Sequence, residues 1–404
     1  MLTTIAWRNI WRARTRSAVV IGAIILGIWA LIFMISFSTG FVQSYVDNAI
    51  ATSIGHMQVH QDSFREEPKL AYHFTTEEAQ LQQLSDLEGV AGTAPRTLVS
   101  AMVGSSRSTR GVQIRGIDPE AEIIVTSLDK QIVEGDYFPE KGKNPILLSK
   151  TLAQKLKVKI RSKVVLTFQD KNLDITAGAF RVVGTFDTGN KPFDEGNVFV
   201  RRADINRLLG EPQMAHELSF LLDQPQRLAA VQQEVQAILP DLLVEDYRQV
   251  APDLQLYEGQ IQTSATIFIV IIMLALLFGI INTMLMAVLE RYRELGMLMA
   301  VGMNKLRVFG MIVLETLYLA VLALIPGLAL GWLTVYWMSS TGLDLSAFSG
   351  GLSQFGMSQI VYPQIQDGIY LQLAVAVGIT ALIGAIYPAW RAVRLRPVEA
   401  IRKI

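Results

Sequence analysis

The chain has no cysteine among 404 residues and only four histidines, and charged residues make up 18% of it. Without thiols there is no disulfide framework, thiolate nucleophile or zinc–thiolate site, so folded regions must be held by core burial. The phosphate-cradling pattern G-x-x-x-x-G-K-[ST] is also missing. Gly135 and Gly142-Lys143 have the wrong spacing and no Ser or Thr follows. H-E-x-x-H and G-x-S-x-G are missing as well. The chain therefore reads as a non-enzyme with no cofactor and no metal of its own. His56-x-x-x-His60 is spaced for one helix face and with His73 offers three metal ligands, but exposed or internally satisfied histidines are the simpler reading.

Lys and Arg are missing altogether from residues 339–368, which hold only Asp344 and Asp367 as charges. That gap gives meaning to the charges elsewhere. Arg8, Arg12, Arg14 and Arg16 precede the first apolar block with no acid among them. Arg291, Arg293, Lys305 and Arg307 face Glu290 and Glu294 between the second and third blocks. Arg391, Arg394, Arg396, Arg402 and Lys403 follow the fourth, against Glu399. A net charge of zero hides this sorting. The excess of Lys and Arg places both termini and residues 290–307 in the cytoplasm, and residues 40–262 and 339–368 outside.

Hydrophobic residues make up 51% of the chain, concentrated at 17–37, 263–289, 308–338 and 369–389. Each block suffices for a helix crossing about 30 Å of hydrocarbon at about 1.5 Å per residue. A cleaved signal peptide is the competing reading of the first block, but its apolar region is too long and no small-x-small site follows it. The layout is an interfacial helix over 1–16, spans at 17–39, 263–289, 308–338 and 369–389, an exported domain over 40–262, a cytoplasmic segment 290–307, a short outer loop 339–368 and a tail 390–404. In the first helix Leu2, Ala6, Ile10 and Ala13 share a side with Trp7 and Trp11 beside them, and Arg8, Arg12 and Arg16 lie opposite, which suits the headgroup layer.

The exported domain reads as mixed α/β. Thr75-x-x-Glu78 has the form of a capping box opening a helix to about residue 87. Alternation predicts strands near 98–103, 112–115, 146–148, 164–168, 180–186, 198–200 and 218–222. Ser149 caps a helix over 151–156, and further helices lie near 203–209 and 225–239. A strand-rich lobe, about 130–200, is inserted into an α/β lobe. Residues 41–53 and 252–262 carry no helix breaker, so the first two spans are expected to continue outward as stalks.

Few polar groups interrupt the spans. Asn282 and Thr283 suit hydrogen bonding between helices, and Gly327-x-x-x-Gly331 after Pro326 suits close helix approach. Glu315 has two open readings: a polar contact at a helix or subunit interface, or a carboxylate near enough to the headgroups to reach them. Tyr387-Pro-Ala-Trp-Arg391 ends the fourth span with a helix breaker, an interfacial Trp and a basic stop. The segment Glu290-Arg-Tyr-Arg-Glu-Leu-Gly296 to Gly302 is short, charged and helix-spaced, suited to receive force from another protein.

Together these pieces resemble the FtsX/MacB/LolC-type ABC transporter permeases over the whole chain. The resemblance rests on Asn282-Thr-Met, on Glu290-Arg-Tyr-Arg-Glu-Leu-Gly296 with Ala300-Val-Gly302, and on Tyr387-Pro-Ala-Trp-Arg-Ala392 with Arg396-Pro-Val-Glu-Ala400. Ala6-Trp-Arg-Asn-Ile10 and Arg115-Gly-Ile-Asp-Pro119 also fit. One departure is Leu156-Lys-Val-Lys-Ile-Arg-Ser-Lys163, where the family usually has a Gly-Asp turn.

The resemblance implies four transmembrane helices with both termini cytoplasmic, and a large extracytoplasmic domain of a porter-like and a sabre-like lobe. It implies a bacterial inner-membrane protein, multi-pass, with that domain in the periplasm. It implies a second permease subunit, identical or related, and two copies of a separate ATPase that bind ATP and Mg. Glu290, Arg291, Arg293, Glu294, Gly296 and Gly302 map to the element that docks on that ATPase. ATP-driven closure would move the stalks: mechanotransmission. The substrate is expected to be a lipoprotein or lipid drawn from the outer leaflet, with Phe33, Phe37, Phe41, Leu256 and Ile267 as contact candidates and membrane lipid alongside. Efflux of peptides or drugs in the manner of MacB, or activation of a wall hydrolase in the manner of FtsX, are the alternatives. No nucleic-acid partner is expected.

Overall fold

A computed structural model describes residues 2–394 except 13, 140–141, 353–356, 358 and 366–367. The motif 396–400, Asp367 and the end of the tail lie outside the described residues. The described chain divides into two units. One holds residues up to 42, 259–343 and from 361 on; the other holds 43–258 and 344–360.

Among the described residues, four helices are long and apolar enough to cross a membrane. The first span helix is Arg14–Ala49, the second Pro252–Glu290, the third Lys305–Thr341 and the fourth Ile369–Val393. The first two outrun their apolar cores: 41–49 holds no Gly or Pro, and Pro252 stands at the first position of its helix, where a missing N–H costs nothing. Within the membrane unit, the first and third span helices touch along small residues. A Cβ on Gly331 would lie 2.5 Å from Ile32 Cδ1, and one on Gly327 3.1 Å from Ile28 Cβ. Gly384 of the fourth helix meets Ile280 of the second in the same way. Glycine stripes let backbones approach where no hydrophobic gradient drives helices together. Residues 361–365 form a strap over the first span helix. Gln364 N donates to Ser36 O at 3.1 Å, and Gly40 lies so close that a Cβ would stand 2.1 Å from Tyr362 O.

The interfacial helix, Leu2–Arg12, buries Ala6 and Ile10 and sets Trp7 edge-on to Tyr318 at 5.9 Å. Trp7 and Trp11 remain exposed.

In the α/β unit the strands are β1 (Met57–His60), β2 (Phe74–Thr75), β3 (Val90–Gly104), β4 (Thr109–Ile117), β5 (Ile132–Gly135), β6 (Pro145–Ser149), β7 (Lys163–Gln169), β8 (Ile175–Phe186), β9 (Asn197–Arg201), β10 (Met214–Ala215), β11 (Glu217–Leu222) and β12 (Leu243–Asp246). Ten form one sheet, in the order β12-β1-β11-β3-β4-β9-β6-β8-β5, with β7 bridging β3 and β8. That bridge closes a ring of β3, β4, β9, β6, β8 and β7 around Val103, Ile114, Leu148, Val164, Phe180 and Val200. The open part, β12-β1-β11-β3, carries a second core with the helices Glu78–Ser85 and Leu228–Ile238.

The strand-rich region is therefore wider than 130–200, because it takes in β3 and β4. β3 serves both parts: it pairs with β11 up to Arg96, and with β4 from Arg96 onward. The alternation at 98–103 undersells it, since residues 92–99 are buried on both faces and show no period of two. Pro95 is tolerated because pairing with β4 begins only one residue later. Thr75 is not a helix cap; it pairs with Met214 in β2–β10, and the helix begins at Glu78 without a side-chain cap. Ser149 does cap, accepting from Leu152 N at 3.1 Å. In the turn 156–163, Lys157 and Arg161 adopt φ of 55° and 70°. Arg161 N bonds Val182 O at 2.8 Å, and such anchoring offsets a left-handed cost of about 1–2 kcal/mol.

Candidate functional site

The second span helix ends at Glu290. Arg291 leaves helical geometry, and a short helix, Tyr292–Ala300, follows. Gly302, at φ 104°, makes the turn that ends it. A Cβ there would meet nothing within 4 Å, so conformation rather than space calls for glycine. Asn304 then caps the third span helix, accepting from Leu306 N at 3.2 Å. Segment 290–304 is thus a short helix and turn between two spans, and Gly296 is buried in it.

Its charges are engaged within the chain. Glu294 pairs with Arg12 at 2.7 Å, and Glu290 with Arg16 at 2.5 Å. Arg291 Nη1 lies 3.2 Å from both oxygens of Glu315, and its Nη2 donates to Asn9 O at 2.8 Å. Glu315 is buried and paired with Arg291 inside the chain. Arg293 is exposed. The large apolar residues exposed here are Met297, Val301 (90% exposed) and Leu306 (78% exposed), set among the exposed Glu290, Arg293, Lys305 and Arg307. The sequence reading singled out the charges and passed over this tip; the signal was Val301 beside Gly302, an apolar residue at a turn.

Phe33, Phe37 and Phe41 continue a stack that begins at Trp29, with centroids 6.0–6.3 Å apart. Trp29 Nε1 donates to Thr334 Oγ1 at 3.0 Å. Ile267, in the membrane unit, and Leu256, in the α/β unit, are exposed. Asn282 is exposed on the second span helix, while Thr283 bonds back to Gly279 O at 2.6 Å.

In the α/β unit, the segment that continues the first span helix ends in one π-turn, Ile50–Ile54, closed by Gly55 N to Ile50 O at 3.0 Å. The orphan carbonyls of a helix end need donors. Here Ser127 N takes Ala51 O at 2.9 Å, and Ser219 Oγ and Gln58 Nε2 take Ile54 O at 2.9 Å. Arg96 Nη1 takes Ser53 O at 2.6 Å.

Arg96 is fully buried. It holds Glu122 with Nε at 3.0 Å and Nη2 at 2.8 Å, and Glu217 with Nη1. Arg115 stands 3.9 Å from Glu217, so two positive and two negative charges balance. Burial opposes the Arg96 charge, but Glu122 and Glu217 outweigh it and raise its proton affinity above the ordinary guanidinium value. Burial works against the Glu217 carboxylate too, yet Arg96 and Arg115 keep it below the usual range. Sequence reasoning missed this quartet, whose members come from β3, β4, β11 and the helix Pro119–Val125.

The histidines are structural. His56 precedes β1 and His60 is its last residue, so the two do not share a helix turn. His216 accepts from Leu98 N at 3.2 Å and faces Leu70 O at 3.2 Å. Burial pushes it down to about 4, so it is neutral. No group of three or more ligands able to hold a metal occurs among the described residues.

Residues 17–238 match the MacB-like periplasmic core domain family, and residues 266–397 the FtsX-like permease C-terminal family. The macrolide export ATP-binding/permease protein MacB of Nitrobacter winogradskyi is 25% identical over 96% of this chain, which spans 58% of that relative. The lipoprotein-releasing system transmembrane protein LolC of Haemophilus influenzae is 22% identical over 94% of this chain and 91% of its own. The periplasmic region of MacB from Actinobacillus actinomycetemcomitans aligns with 52% of this chain and 97% of its own at a TM-score of 0.37 and 12% identity. The chain belongs to the MacB-like periplasmic core domain family, carries an FtsX-like permease domain, and is a multi-pass inner-membrane ABC transporter permease of the MacB/LolC/FtsX type.

Proposed function

We propose that this permease transmits ATP-driven motion from a separate ATPase to its periplasmic domain, and that the work done there is extraction of a lipoprotein or lipid from the outer leaflet. The observation that carries the reading is helix continuity. The second span runs unbroken from Pro252 to Glu290, where the 290–304 segment begins, and the first runs unbroken to Ala49. Such helices convey displacement rather than absorb it. Both termini and the 290–304 segment face the cytoplasm, as their Arg and Lys content favours.

Two ATPase copies bind ATP and Mg and receive the apolar tip at Val301 and Leu306. The paired charges Glu290, Arg291 and Glu294 hold that tip in place, and Arg293 lies at its exposed rim. A second permease subunit covers the second span. Its most apolar window is 17% buried, against 33–44% for the other three, and Asn282 lies exposed on it. An amide at a lipid-facing position gains from a partner across an interface.

In the membrane unit, the stacked Phe33, Phe37 and Phe41 and the exposed Ile267 are the apolar contacts for acyl chains; Leu256, exposed in the α/β unit, is a separate candidate. Photocrosslinkers at Phe33, Phe37 and Ile267 are expected to trap acylated substrate in the presence of the ATPase. Crosslinks to soluble peptides alone would overturn this in favour of MacB-like efflux, a reading that the 25% identity to MacB keeps in view.

A further inference from the structure

We propose that Arg96 is the positioning residue that locks the π-turn at the end of the first span helix into the β-sheet, so that displacement of the helix moves the sheet instead of unwinding the turn. A π-turn is a single turn with few i→i+5 bonds of its own, so what else holds its carbonyls decides how it bears a load. Here its carbonyls are held from outside the helix, at Ala51, Ser53 and Ile54. Gly55 makes the exit at φ 69° directly against the sheet, where a Cβ would stand 2.6 Å from Phe220 O.

Arg96 differs from the other donors in where it sits. It is the last residue of β3 to pair with β11 and the first to pair with β4. The helix end is therefore tied to the one point on β3 that belongs to both the open sheet and the closed ring. Its carboxylate partners come from the helix Pro119–Val125 (Glu122) and from β11 (Glu217), and Thr126 Oγ1 donates to Glu122 at 3.0 Å. Arg96 makes four hydrogen bonds, two to Glu122, one to Glu217 and one to Ser53 O; a guanidinium has five donors in a fixed fork, whereas an ammonium has three and no fork. All of these contacts lie within residues 43–258. That the lock matters in a transport cycle rests on the mechanotransmission reading above.

The test uses the full chain in lipid nanodiscs with its ATPase, without nucleotide, followed by amide hydrogen exchange. The variant Arg96→Met with Glu122→Gln removes one charge of each sign and leaves Glu217 with Arg115. Exchange across residues 50–56 is expected to rise about tenfold or more while β3, β4 and β11 keep their protection. Unchanged protection at 50–56 overturns the proposal. Should the double variant lose protection throughout the sheet, Arg96→Lys decides. Loss confined to 50–56 supports the lock; uniform loss, or none, overturns it. A separate arm distinguishes the function. Since the chain has no cysteine, Asp47→Cys and Arg110→Cys carry the only spin labels. A wild-type distance between them that ignores ATP turnover refutes load on this junction and leaves the lock itself standing.

Discussion

Replacing Arg291 with Met should cost more stability than any other single charge removal in the membrane unit. The change leaves Glu315, with 6% of its side chain exposed, without the guanidinium that lies 3.2 Å from both its oxygens. Breaking a buried pair from one side costs about 3–5 kcal/mol. Arg16 acts on the same carboxylate, so the lower end of that range is expected. Glu315→Met costs less, about 1–3 kcal/mol, since Arg291 keeps the Asn9 carbonyl at 2.8 Å. The double variant places two apolar side chains in a half-dry site and should cost at least about 2 kcal/mol less than the sum of the singles. All six tryptophans, Trp7, Trp11, Trp29, Trp332, Trp337 and Trp390, lie in the membrane unit. Their fluorescence during unfolding in mixed micelles therefore reports that unit alone. Additive losses would refute the pairing argument.

The Arg12–Glu294 pair is exposed, so Glu294→Lys should change stability by less than about 1 kcal/mol yet release the 290–304 segment and lower ATPase coupling; adding Arg12→Glu should restore it in a turnover assay. Val301→Asp with Leu306→Asp should leave tryptophan-monitored unfolding unchanged and abolish co-purification of the ATPase. Gly40→Ala puts a Cβ 2.1 Å from Tyr362 O and should cost about 1–3 kcal/mol in the same unfolding assay. In the α/β unit two groups titrate against each other. Burial raises the Asp194 carboxyl to about 7, despite donation from Thr188, so its contribution is present below about 4 and lost as pH climbs to about 7. His216 is pushed down to about 4, so its contribution is present above about 6.5 and lost as pH falls to about 4. Asp194→Asn should leave stability rising with pH across that window, and His216→Gln should leave it falling, each read by hydrogen exchange of the β3–β4 hairpin.

The four spans were legible in the sequence because lipid requires every backbone group to be bonded within its own segment, so long apolar runs admit only helices. The motifs at 282–302 and 387–392 carried the family. Local chemistry was legible where it acts locally, as with Ser149 over its helix or Gly302 at its turn. Three things depended on tertiary structure. Thr75 has the spacing of a cap, but pairing with Met214 satisfies its backbone first. Glu290, Glu294 and Arg291 read as a surface for another protein, yet Arg16, Arg12 and Glu315 take them up, because residues distant in sequence meet only once the helices pack. The quartet of Arg96, Arg115, Glu122 and Glu217 is spread over β3, β4, a helix and β11, and no period or spacing announces it. A sequence records which groups must be satisfied; which partner satisfies each is settled by the geometry of the closed sheet, where burial makes an unpaired charge untenable.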